Sequence, residues 1–167
     1  MVLAGAVGLL AGCGFRPLYA PGPGGTASVA ASELSAIYVG LMPDRAGQLF
    51  RQALQQRLEG AGTGVAKRYE LGAFLSLAPE VIGIQRDNSS TRVRLIGTAA
   101  WAVRDLSADQ ALVANGTARS VDGYNVLNQE FFALELENDA ATRRVTSALA
   151  DQVTVQLSSF FASRAAS

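Results

Sequence analysis

"TRVRLIGTAAWAVR", residues 91–104, places Val93, Leu95, Gly97, Ala99, Trp101 and Val103 at every second position. A period of two belongs to a strand that buries one face. Upstream, Tyr69, Leu71, Ala73, Leu75 and Leu77 alternate in the same way from near residue 68, and the pattern runs on past Pro79 through "VIGIQ" at 81–85. Proline gives no N–H to a ladder, so Pro79 marks either a bend or an edge position. Asp87-Asn88-Ser89-Ser90 between the two runs is turn chemistry, and the pair reads as a hairpin. A strand from Arg92 to Arg104 would span roughly 40 Å, so the hairpin tip is expected to project beyond the helices that cover its base.

Working outward, residues 34–41, "LSAIYVGL", read as a first strand, which Pro43-Asp44 stops while offering Asp44 as an N-cap. Leu49, Phe50, Ala53, Leu54 and Leu58 then fall on one helical face, with Gly60 and Gly62 as the stop. After the loop "DLSADQ", residues 111–121 make a fourth strand in which Asn115-Gly116 is a bulge or a competing hairpin turn, the bulge being preferred. Neither Gly nor Pro interrupts residues 124–167, where Leu134, Ala141, Val145, Ala148, Leu149, Val153, Leu157, Phe160 and Phe161 recur with the helical period. The order predicts an α+β sandwich: two helices packed on one face of a mixed or antiparallel four-stranded sheet.

Composition narrows the chemistry. The 167 residues, 49% of them apolar, suit a single globular domain. Fourteen basic residues, all Arg except Lys67, balance fourteen acidic ones, so no global field collects nucleic acid and none is expected as a partner. With no histidine, Ser-His-Asp and Cys-His sites and His-ligated zinc or haem are excluded. One cysteine closes no internal disulfide and is no metal ligand set, so neither a cofactor nor a metal is expected.

That cysteine, Cys13, follows "VLAGAVGLLAG" at 2–12, an apolar run too short to cross roughly 30 Å of hydrocarbon but long enough for the core of a secretory signal. Leu10-Ala11-Gly12-Cys13 resembles the lipobox of bacterial lipoproteins, which implies cleavage before Cys13 and its lipidation. A signal normally opens on Lys or Arg, so the true start is expected upstream of Met1. A buried structural cysteine, or a phosphate loop of Gly5, Gly8 and Gly12, competes with this reading, and the loop would need a preceding strand. The expected organisation is a signal peptide over 1–12, an acylated cysteine and flexible tether over 13–33, and one α+β domain over 34–167.

Two clusters carry possible chemistry. Glu130, Glu135, Glu137 and Asp139 could serve acid/base work or a divalent ion, but acidic residues also favour a helix start, and Asp139 stands four residues before Arg143 as a helix ion pair. The second account is preferred. Arg86, Arg92 and Arg94 flank the 87–90 turn with Asp87 opposing them. Arg92 and Arg94 would share a strand face about 7 Å apart, suited to a phosphorylated ligand or to plain solvation.

"CGFRPLY" at 13–19, the strand-helix-strand order and the passage from Tyr124 to Val153 together resemble the lipopolysaccharide-assembly lipoprotein family LptE, in an alphaproteobacterial style. The resemblance implies a non-enzymatic lipoprotein anchored by acyl chains in the inner leaflet of the outer membrane, on its periplasmic face. It further implies a plug within the β-barrel LptD that assists barrel assembly and lipopolysaccharide transport. In that family basic side chains near the turn of the central hairpin contact lipopolysaccharide phosphates, a role that falls here to Arg86, with Arg92 and Arg94 beside it. A second basic position is replaced here by Leu136 and Glu137. The competing functions are an accessory lipoprotein of an envelope lipid transporter and a periplasmic hydrolase built on the helix-end carboxylates.

Overall fold

The computed structural model describes residues 29–59, 64–84, 90–126 and 131–166. The chain forms α1 (Val29–Ser35), β1 (Ile37–Val39), α2 (Asp44–Glu59), β2 (Tyr69–Ile84), β3 (Ser90–Asp105), β4 (Leu112–Asn125) and α3 (Phe131–Ala165). One mixed sheet runs in the order β1-β2-β3-β4, with β1 parallel to β2 and the other neighbours antiparallel. The α+β architecture follows the alternation of the strands, but the described residues carry three helices where two were expected.

The extra helix is α1, which takes in residues 29–33 that composition groups with the tether, and it shortens the expected first strand of 34–41 to Ile37–Val39. Ala30, Ala31 and Leu34 are buried, and the Ser32 and Ser35 hydroxyls donate to the carbonyls of Val29 and Ser32 at 2.9 and 2.8 Å. An Ala- and Ser-rich segment becomes helical once its one small apolar face is packed. Glu33 anchors it to the sheet, accepting from Tyr69 Oη at 2.9 Å and from Arg68 at 2.8 Å.

Asp44 caps α2 as expected: its Oδ1 accepts the Gly47 N–H at 2.7 Å. Phe50, Leu54 and Leu58 of that helix are fully buried with Val145, Leu149, Val153 and Leu157 of α3 and Leu71 and Val103 of the sheet. Each such Leu contributes about 1.5–3 kcal/mol by leaving water. Thr154, also buried, satisfies its hydroxyl on the Ala150 carbonyl at 2.7 Å, and no buried side-chain polar atom among the described residues lacks a partner.

The sheet's other face carries no helix among the described residues. Register pairs Glu70 with Arg104, Phe74 with Ala100 and Glu80 with Arg94, all exposed on that side. The β4 strand passes through Asn115-Gly116 without a turn or a bulge there, and the irregularity lies instead where Val103 and Arg104 face Ala114 and Leu112. Gly116 has a different reason to be glycine. A Cβ on it would meet Trp101 Cζ2 at 2.7 Å.

Candidate functional site

Alternation along β3 sends Val93 and Leu95 into the core and Arg92 and Arg94 to the helix-free face, so both arginines are exposed near the hairpin tip. Arg94 is opposed by Glu80, its register partner on β2, with 3.4 Å between Arg94 Nη1 and Glu80 Oε2. Arg92 forms no ion pair among the described residues. It lies over Gly123, where a Cβ would stand 3.7 Å from its Nε. The turn itself, with Arg86 and Asp87, lies outside the described residues, as do Cys13 and Glu130. The cross-strand Glu80 could not be assigned to Arg94 from sequence, because that pairing depends on the register past Pro79.

At the start of α3, Glu135 and Glu137 are exposed, while Asp139 sits in a pair of ion contacts. Arg143, one helical turn on, donates to Asp139 Oδ2 at 3.0 Å, and Arg45 from the start of α2 donates to Oδ1 at 2.8 Å. The hydrogen bond from Arg143, reinforced by both positive charges, holds the Asp139 carboxyl below its ordinary range. The intrahelical half of this cluster is legible as an i, i+4 pair; the Arg45 half, which ties two helices together, is not. No group of three His, Cys, Asp or Glu side chains among the described residues could hold a metal ion.

Two concave regions flank β2. A notch of about 510 Å³ lies between the starts of α2 and α3, lined by Arg45, Leu77, Phe132, Glu135, Leu136 and Asp139 among others. Phe132 is 85% exposed and Leu136 71%, so this end of α3 presents apolar side chains to solvent rather than to the core. On the helix-free face, a shallow depression of about 350 Å³ is bordered by Gly72, Phe74, Ala100 and Ala102 between Glu70 and Arg104. No helix among the described residues is long and apolar enough to cross a membrane.

No curated protein sequence matches this chain. Solved structures do. A candidate lipoprotein from Caulobacter crescentus superimposes with a TM-score of 0.65 at 22% identity, over 82% of this chain and 98% of that one. Rare lipoprotein B from Shewanella oneidensis gives 0.55 at 14% identity, covering 74% of this chain and 92% of its own. A minor lipoprotein from Acinetobacter baumannii gives 0.54 at 16%, covering 74% and 88%. At these identities the likeness is one of fold. The profile of the family LptE, described as lipopolysaccharide-assembly, matches residues 34–157, which take in every strand, α2 and most of α3. On that match the chain belongs to the LptE family of lipopolysaccharide-assembly proteins.

Proposed function

We propose that this protein is an outer-membrane lipoprotein that seats its α+β domain within an LptD-like β-barrel, assists the assembly of that barrel, and contacts lipopolysaccharide on its way to the cell surface. The family match over residues 34–157 carries the reading. In this reading Cys13 bears the acyl chains that hold the protein on the periplasmic face of the outer membrane, and residues 14–28 form the tether between lipid and domain. Several acyl chains, at about 0.8 kcal/mol per buried methylene, make such an anchor nearly permanent. The domain binds and positions, and performs no chemistry of its own.

Lipopolysaccharide phosphates would be met at the hairpin tip by Arg86 and Arg92, with Arg94 in a lesser role because Glu80 already faces it. Guanidinium forks suit phosphate because two N–H groups can address two oxygens at once. Arg86→Glu and Arg92→Glu should each weaken lipopolysaccharide binding about tenfold or more, measured on the purified full chain with defined lipopolysaccharide, and Arg94→Glu less. Unchanged affinity in the first two variants would remove the tip from the site. Cys13→Ala should move the protein from the membrane fraction to the periplasm. Recovery of a lipid transporter, rather than a barrel, from detergent-solubilised membranes would replace the assembly reading with the transporter-accessory one.

A further inference from the structure

The two edges of the sheet are treated differently. On β4, Gln152 and Gln156 of α3 reach across and occupy the outward backbone groups: the Arg119 N–H donates to Gln152 Oε1 at 3.2 Å, and Gln152 Nε2 donates back to the Arg119 carbonyl at 3.0 Å. Gln156 Nε2 donates to the Thr117 carbonyl at 3.0 Å, while its oxygen accepts the Trp101 indole N–H at 2.9 Å. Two glutamines thus stand where another strand would pair.

Nothing comparable guards β2 among the described residues. Its parallel partner β1 ends after three register pairs, at Leu71. The Leu71 carbonyl accepts the Gly40 N–H at 2.9 Å, which fixes the odd-numbered backbone groups of β2 toward that side and the even-numbered ones toward β3. The N–H and C=O groups of Ala73, Leu75 and Leu77 therefore point off the sheet, with no backbone partner among the described residues. Pro79 comes next in the same phase, where its missing N–H costs no bond to β3 and closes the exposed run.

The surroundings of that run define its ligand. Phe74, 72% exposed, stands on the helix-free face, and the notch lined by Leu77, Phe132 and Leu136 opens on the helix side. Glu135 in the notch forms no ion pair among the described residues. A strand laid beside Ala73–Leu77 sends alternate side chains to these two places.

We infer that the β2 edge from Ala73 to Leu77 accepts an extended segment of the barrel partner as a fifth strand, apolar at alternate positions and carrying one cation for Glu135. The barrel's wall is a closed sheet, so the segment comes from one of its loops. This rests on the proposed barrel partnership and adds where the partner attaches and in what conformation.

Amide hydrogen exchange of the full chain, alone and in the detergent-solubilised complex with its barrel, tests it. The amides of Ala73, Leu75 and Leu77 should exchange freely in the isolated chain and slow about tenfold or more in the complex, as expected for one added hydrogen bond each. Gly72, Phe74 and Ser76, which already face β3, should be protected in both. Ala73→Pro removes an outward donor only and should weaken the complex, and Glu135→Lys should weaken it by charge reversal. An intact complex with unchanged exchange at the three odd-numbered amides would overturn the strand addition alone. Absence of any barrel complex would overturn the proposed function together with it, and slowing in the isolated chain that scales with its concentration would assign the edge to a second copy instead.

Discussion

Gly97 sets how closely α3 can approach the sheet. A Cβ at this position would overlap Val145 Cγ1 and stand 3.0 Å from Leu149 Cδ1, both on fully buried side chains of α3. Gly97→Ala should cost about 1–3 kcal/mol in urea unfolding, the usual penalty for adding a methyl to a filled core. Adding Val145→Ala to that variant should recover part of the loss, so the double-mutant cycle gives a favourable coupling; additive losses would show that the methyl is accommodated elsewhere. The inward placement of Gly97 is legible in the alternation of residues 93–103, but its contact is not, since Val145 is remote in sequence. Asn115-Gly116 shows the opposite case. Its dipeptide chemistry suits a bulge or a turn, yet both residues keep the regular ladder opposite Ala102 and Trp101, and Gly116 leaves room for the indole.

Among the elements, β4 and α3 are bound by more than apolar packing. If Gln152 and Gln156 guard the edge, Gln152→Ala/Gln156→Ala leaves the outward groups of Thr117 and Arg119 open and should drive self-association, seen by light scattering as a rise in mass with concentration. A double variant that stays monomeric would show these contacts to be incidental. The long strands, their hairpin and the closing helix are legible because each repeats its period over many residues. The α1 helix is not, because seven residues of mostly Ala and Ser carry too little periodicity to separate a packed helix from a linker. The arginines of the hairpin are likewise visible in sequence, whereas the opposing Glu80 and the open β2 edge emerge only once register and the length of β1 are known.

For the molecule as a whole, equal numbers of basic and acidic groups leave local pairs to set the response to pH. Asp139, held below its ordinary value of 3.8 by Arg143 first and Arg45 also, contributes stability above that value, and the contribution disappears as pH falls through its depressed value. Tyr69 is raised above 10.0, chiefly by burial and then by its hydrogen bond to Glu33; its contribution is complete below 10.0 and disappears as pH rises through the raised value. Thermal unfolding followed across pH should therefore show a shallow acid limb that Asp139→Asn flattens and an alkaline limb that Tyr69→Phe flattens. Limbs unchanged in both variants would place the titrating groups elsewhere. The brevity of β1 also has a mechanical side. Tension arriving from the N-terminal side of Val29 meets seven helical residues and then three ladder pairs, while the β2–β3 ladder extends from Tyr69 opposite Asp105 to Ile84 opposite Ser90. Pulled from that side, the chain should give way in stages, a weak fuse peeling off before the load reaches the hairpin.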